Sequence, residues 1–352
     1  MIVASPGWSN SADNPHMLEV RHRPLDVRLR HVFRIARGAS DVRHNLLLEV
    51  EHDGRAGLGE AAPIRRYGED RQSAAAAVEA MAGRLDDARA FATAAARAAV
   101  PGQSSAEAAV DMALHDLAGQ RLGVPLYELL GLDPRDAPVT SFTIGLDSPD
   151  AMARKVREAA AYPVLKVKMG SDGDREVLQA VRDSTRATLR VDANEGWTPA
   201  EALGRLEWLH SLGVELVEQP LPAGMTAETR ELRRLSPLPF YADESVHRAA
   251  DIPALAGAFD GINVKLMKCG GIGEALRMIA VARAHGMKVM LGCMIESSLG
   301  ITAAAHLSPL ADIADLDGNL LLESDPFVGV TVREGRLVLP ERPGLGVRPR
   351  PE

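Results

Sequence analysis

The 352-residue chain has 46% apolar and 25% charged residues, the balance of an ordinary globular protein, and its length suits one large core with a smaller domain beside it. No apolar run approaches the ~20 residues of a membrane-spanning helix. The net charge of −8 is spread along the chain, without a Lys/Arg cluster interleaved with aromatics, which argues against nucleic acid as a partner.

Residues 1–17 lack the cationic start and continuous apolar stretch of a signal peptide. They read as a flexible leader on a cytoplasmic protein. From Leu18 to Pro63 polar and apolar residues alternate, clearly so in Leu18 to Leu29 and Asn45 to Glu51, with a His52-Asp-Gly-Arg55 turn, so a small antiparallel sheet is expected. Between Ser73 and Leu130 the chain is alanine-rich, with Ala109, Met112, Ala113 and Leu117 at helical spacing until Gly123-Val-Pro125 ends the pattern. Two or three helices should cover the sheet.

After Pro138 short apolar runs alternate with amphipathic helices: Val139 to Ile144, Val164 to Met169, Leu189 to Ala193, Val214 to Val217, Phe240 to Ala242, Ile262 to Leu266, Val289 to Cys293 and Ile313 to Leu316. Eight strands at this period predict parallel pairing, right-handed crossovers and closure into an α/β barrel. The end of the chain reads as short strands and turns among four prolines, and is expected to return to the N-terminal sheet. The predicted organisation is a leader (1–17), a capping domain (18–135), a barrel (136–325) and a C-terminal return to the cap (326–352). Cys269 and Cys293, the only cysteines, are too few for a disulfide framework and wrongly spaced for zinc. They are expected to be buried thiols in a reducing compartment.

In such barrels the polar residues that close apolar runs share one mouth. Asp192, Glu218 and Asp243 end three successive strands, one strand-helix unit apart. Three neighbouring anions would each cost several kcal/mol uncompensated, and hard oxygen donors suit Mg²⁺ or Mn²⁺. Asn194 and Glu244 would support that set. Lys166 and Lys168, two apart on one strand, project to the same side. Their proximity favours loss of a proton, which a base needs if its pKa is to fall from ~10.4 to roughly 7–8. Lys265 lies four strands further round a circle of eight, so it would face Lys168 across a bound carbon, as inversion of a stereocentre requires. Lys268 is expected at a helix entry in solvent, and His115, His210, His285 and His306 are expected to be structural. Gly270-Gly271-Ile272-Gly273 lacks dinucleotide-binding spacing.

The ordered set K-V-K, V-D-A-N, V-E-Q-P, A-D-E-S, N-V-K-L-M-K-C-G-G and G-C-M-I-E-S resembles the muconate-lactonising branch of the enolase superfamily over nearly the whole chain. The resemblance implies a modified (β/α)₇β barrel under an α+β cap. It implies Mg²⁺ on Asp192, Glu218 and Asp243, Lys168 and Lys265 as the acid/base pair, and Lys166 holding the substrate carboxylate, in keeping with that superfamily's general chemistry. Asp315-Leu-Asp317 looks like the D-x-D motif of dipeptide epimerases, which binds the substrate's α-ammonium, a task suited to two carboxylates on one strand. Thr143 and the stretch from Cys293 through Ile295 to Glu296 would line the remaining wall.

In the cap, Phe33 to Gly38 and Arg66 to Glu69 resemble the specificity loops of L-Ala-D/L-Glu epimerases. Arg37 takes the place of the arginine that meets a glutamate side chain, with Arg34 and Arg66 as competitors. The implied activity is Mg²⁺-dependent epimerisation of a small dipeptide at its C-terminal α-carbon, L-Ala-L-Glu above all, which would serve peptidoglycan recycling; a homo-oligomer is compatible with it. Elimination or cycloisomerisation of the o-succinylbenzoate synthase or muconate cycloisomerase type is the alternative, for which one base suffices. A metal-binding barrel without catalysis would not need both lysines.

Overall fold

The computed structural model describes residues 9–10, 18–35, 38–85, 90–170 and 173–351. The N-terminal alternation forms a four-stranded antiparallel sheet in chain order: β1 (Ser9–Asn10), β2 (Glu19–Ile35), β3 (Gly38–His52) and β4 (Arg55–Ala61). The expected leader lies outside the described residues except for Ser9–Asn10, which pair with His22 and Arg21. At the β3–β4 turn Asp53 (φ 51°) and Gly54 (φ 71°) both take the left-handed conformation, as a two-residue hairpin that follows the strand twist requires.

Strand alternation gives β3 two different faces. Leu46, Leu48 and Val50 pack under the helices, whereas Leu47, with Leu25, Val27 and Leu29 of β2, joins the core shared with the barrel. The helices are α1 (Arg71–Ala82), α2 (Phe91–Ala98) and α3 (Ser104–Leu122). A capping box between Asp70 and Ser73 opens α1, and left-handed Gly123 closes α3. Gly57 and Gly59 let α3 approach β4 closely, because a Cβ at either would strike a carbonyl of Ala113 or Ala109.

The second half forms a parallel eight-stranded sheet: β5 (Phe142–Ile144), β6 (Val164–Lys168), β7 (Thr188–Asp192), β8 (Val214–Glu218), β9 (Phe240–Ala242), β10 (Gly261–Lys265), β11 (Lys288–Gly292) and β12 (Ile313–Asp315). A parallel bridge from Thr140 to Ala314 and the Ser141 N–H donated to Ala314 O bring the first strand against the last. The expected α/β barrel with an antiparallel N-terminal sheet beside it is therefore present.

The structure departs from the sequence reading at the C-terminus. The tail does not join the N-terminal sheet: Phe327–Val328 pairs with Arg348–Pro349, and Thr331–Arg333 with Arg336–Val338. It then meets the end of α3, where Leu126 N donates to Gly344 O and Leu345 N to Asp116 Oδ1. Pro340 and Pro343 in this segment have no N–H to donate to a ladder. Among the described residues no helix is long and apolar enough to cross a membrane.

Candidate active site

Each barrel strand ends in the residue type that its sequence run announced, and their side chains converge. Thr143, Lys166, Lys168, Asp243, Lys265, Cys293, Ile295, Asp315 and Asp317 line one cavity of about 1080 Å³ between the barrel mouth and the N-terminal sheet. Asp192 and Glu218 are wholly buried at its floor. Asp192, Glu218 and Asp243 each offer a carboxylate oxygen within 4.8 Å of the others.

The electrostatics of this trio suit a cation. Burial, then the charge of Asp192, pushes the Glu218 carboxyl up to about 7, although Lys166 acts against the shift. Burial would raise Asp192 also, but Lys168 and Lys166 bring it to about 2. Asp243 is likewise held well below the usual carboxylate range, its burial outweighed by Lys265 and Lys268. An all-oxygen set of three close carboxylates, one of them driven towards protonation by burial and by Asp192, fits a hard divalent ion such as Mg²⁺.

Lys166 is encircled by acids. Its Nζ lies 2.7 Å from Glu218 Oε2, 2.7 Å from Asp315 Oδ2 and 3.2 Å from Asp192 Oδ2. Although burial works against its charge, Asp315, Glu218 and Asp192 raise its pKa well above the ordinary value. Lys168 Nζ donates to Asp192 Oδ2 at 2.6 Å and Lys265 Nζ to Asp243 Oδ2 at 2.9 Å. Lys168 closes β6 and Lys265 closes β10, four strands apart in a closed eight, hence on opposite walls. The Lys265 pKa is raised, because Asp243 outweighs the cost of burial.

Lys268 is not solvated as expected. The chain turns after β10 into one helical turn (Leu266–Cys269), which folds the Lys268 side chain back to donate to Asp243 O and Oδ1, each at 2.5 Å, and to Val246 O. Asn263 was also missed: two residues before Lys265 on the same inward face, it donates to Glu218 Oε1 at 2.9 Å. The I-N-V-K alternation carried that signal. Asn194 donates to Glu244 Oε1 at the cavity edge. Asn194 (φ 46°), Glu195 (φ 66°) and Gln219 (φ 35°) all adopt left-handed backbone, uncommon for residues with a Cβ and characteristic of functional strand ends.

On the facing wall, Asp315 accepts from Ser141 Oγ and Lys166, and Asp317 Oδ2 accepts the Thr143 N–H, at 2.5 Å for both Ser141 and Thr143. Burial and the neighbouring Asp315 push Asp317 up to about 6. Asp315, in contrast, lies below its ordinary value, since Lys166 outweighs burial. Cys269 is a buried free thiol, whereas Cys293, expected to be buried, is only half so; standing just past β11, it opens on the cavity. Ile295 O accepts from Asn45 Nδ2 of β3 at 3.2 Å, joining the barrel rim to the sheet above.

The cap closes the remaining side. Arg66 binds Glu195 through two nitrogens, the shortest distance being 2.7 Å, and Tyr67 stacks edge-on against His247 with ring centroids 4.8 Å apart. Arg34 is solvent-exposed, and Arg37 lies outside the described residues. The cavity is also lined by Arg43 of β3, which the sequence reading did not single out.

Residues 17–131 match the mandelate racemase / muconate lactonizing enzyme N-terminal domain, and residues 150–352 match the enolase C-terminal domain-like family. The chain belongs to the enolase superfamily. Among its relatives, the L-Ala-D/L-Glu epimerase of Bacteroides thetaiotaomicron is 41% identical over 333 residues, 92% of this chain and 86% of the relative. The L-Ala-D/L-amino acid epimerase of Pedosphaera parvula is 42% identical, over 94% of this chain and 99% of the relative. The dipeptide epimerase of Cytophaga hutchinsonii, solved with Mg and D-Ala-L-Val, superimposes with a TM-score of 0.90 at 29% identity, covering 95% and 96% of the two chains.

Proposed function

We propose that the chain is a Mg²⁺-dependent dipeptide epimerase that inverts the α-carbon of the C-terminal residue and interconverts L-Ala-L-Glu with L-Ala-D-Glu. The observation that carries this reading is the pair Lys168 and Lys265, on opposite walls of one cavity whose third side holds Asp315 and Asp317. The named activities of the relatives support it.

One lysine takes the α-proton from its face of the substrate, and the electron pair of the C–H bond moves into the adjacent carboxylate, giving an enediolate. The opposite lysine then returns a proton from the other face, which inverts the centre. Lys166 holds the substrate carboxylate and offsets the charge that grows on it. Asp192, Glu218 and Asp243 are the metal ligands in this reading; when bound, the cation supplies positive charge beside that carboxylate. Asp315 and Asp317 receive the α-ammonium, with Thr143, Cys293 and Ile295 forming the adjoining wall and Arg37 kept as a candidate for the side chain. Elimination or cycloisomerisation would need a single base and leave the two aspartates without a task.

In this reading residues 18–135 and 326–352 form the cap and 136–325 the barrel. The substrate is a small dipeptide, neither nucleic acid nor membrane takes part, and a homo-oligomer is compatible with the site. We place the activity in the cytoplasm, where thiols such as Cys269 stay reduced, and in peptidoglycan recycling, because Ala-Glu is a unit of cell-wall peptide. The test is incubation of the purified protein with Mg²⁺ and L-Ala-L-Glu in deuterated water. Loss of the α-proton signal and appearance of the L,D epimer are expected. Neither event, across a panel of dipeptides, would overturn the proposal.

A further inference from the structure

One sequence relative is named for glutamate and the other for amino acids in general, so family membership does not decide what this cavity reads at the substrate's C-terminal residue. Arg43 supplies the missing information. On β3, Asn45 and Leu47 face the barrel: Asn45 reaches Ile295 O, and Leu47 joins the barrel-side core. Arg43 is one pleat beyond Asn45 on that same face, opposite buried Val27 of β2. Its side chain therefore extends over the barrel mouth.

A half-buried guanidinium is ordinarily ion-paired or hydrogen-bonded, yet Arg43 makes no ion pair or side-chain hydrogen bond with a described residue, and burial alone acts on it, lowering its pKa. Of the acids that the cap contributes to the cavity lining, three are already engaged. Glu69 receives the N–H groups of Ser104 and Ser105, Asp70 caps α1, and Asp41 stands 3.8 Å from Arg28. The other cavity arginines differ as well: Arg66 is held by Glu195, Arg71 is bound to Asp26 and to Asn45 O, and Arg65 is exposed.

We infer that Arg43 is a specificity-determining residue of the cavity and takes an anionic side chain, that of a C-terminal glutamate or aspartate, in a charge-assisted hydrogen bond. This rests on the dipeptide epimerase reading. In that reading Lys166 holds the main-chain carboxylate and Asp315 with Asp317 the ammonium, so the partly desolvated cation across the cavity is left for the side chain. An anion there restores the solvation that burial removed from the guanidinium, whereas an apolar side chain would leave it bare.

The experiment compares wild type with Arg43→Gln, Arg43→Lys and Arg43→Glu, all Mg²⁺-loaded, on L-Ala-L-Glu, L-Ala-L-Leu and L-Ala-L-Lys, reading kcat/KM and, by calorimetry, the Kd of each dipeptide. Arg43→Gln is expected to lower the Glu-over-Leu preference by about 10- to 100-fold, Arg43→Lys to recover part of it, and Arg43→Glu to turn the preference towards lysine. Unchanged preference in folded variants, checked by circular dichroism, overturns the inference alone. Selective loss of L-Ala-L-Glu binding in a protein that epimerises nothing upholds Arg43 and overturns the epimerase reading. Wild type that neither binds nor turns over L-Ala-L-Glu overturns both. If Arg43→Glu fails to fold, the Gln and Lys variants decide.

Discussion

Lys166 Nζ lies 2.7 Å from Asp315 Oδ2, a buried ion pair that ties the end of β6 to the end of β12 on either side of β5. Asp315 is thereby kept ionised, while Asp317 beside it is pushed up to about 6 by burial and by Asp315. If the pair receives the ammonium of a dipeptide, Asp315→Asn and Asp317→Asn should each raise KM by about 10- to 100-fold. Comparing free with N-acetylated L-Ala-L-Glu checks the assignment. The wild-type preference for the free amine should fall in both variants, and an unaltered preference would remove the aspartates from substrate binding.

The opposed lysines make an asymmetric prediction. Lys168→Ala and Lys265→Ala should each abolish epimerisation, with a loss of at least roughly 10²- to 10⁴-fold, the usual contribution of a positioned base. Each variant should still exchange the α-proton of one epimer, and the two should differ in which epimer that is. Proton NMR in deuterated water with L,L and L,D substrates separately reads this out. Exchange of both epimers by either variant would contradict a two-base site.

Removal of the metal is expected to stop turnover and to lower thermal stability, since a ligand that binds only the native state stabilises it by mass action, ~2.7 kcal/mol at a hundredfold excess over Kd. Adding Mg²⁺ to chelator-treated protein should raise the melting temperature of wild type but not of Asp243→Asn. A rise of equal size in both would place the ion elsewhere.

Arg66 and Glu195 connect the cap to the barrel rim, with the Arg66 side chain 45% exposed and that of Glu195 8% exposed. Solvent screening limits the contribution of such a pair to stability to below ~1 kcal/mol. Arg66→Ala should leave the melting temperature almost unchanged while raising KM, because the loop carrying Tyr67 would no longer be fixed over the cavity. A double-mutant cycle with Glu195→Ala checks this, with non-additive effects on KM expected.

His306 sets an acid limit on the fold. Burial lowers its pKa to about 4, and its ring accepts the Tyr127 N–H at Nδ1 while Nε2 donates to Leu345 O. A protonated ring would set a second N–H against that of Tyr127. Since the folded pKa lies below the unfolded ~6.5, the unfolded chain binds more protons between these values. The contribution is intact above pH 6.5 and is lost as pH falls towards 4, by about 3 kcal/mol. Urea titrations at pH 7.5, 6, 5 and 4 should show this slope in wild type and a shallower one in His306→Gln.

The sequence by itself determined which residues close which strands. The period of two within strands and of one strand-helix unit between them puts Asp192, Glu218 and Asp243 on neighbouring strands and Lys168 opposite Lys265, because barrel closure follows from that repeat. What the tertiary structure decided concerns contacts between segments far apart in the chain. Lys268 is buried because a single helical turn after β10 folds its side chain onto Asp243, and a one-turn reversal has no periodic signature. The tail pairs with itself and meets α3 instead of the N-terminal sheet, a choice of partner made between segments far apart in the chain. Arg43 is left to face the cavity because β3 lies across the barrel mouth and Glu195, Asp26 and Arg28 engage the other charged groups around it. Such selective pairing depends on distances in space, which the order of residues does not carry.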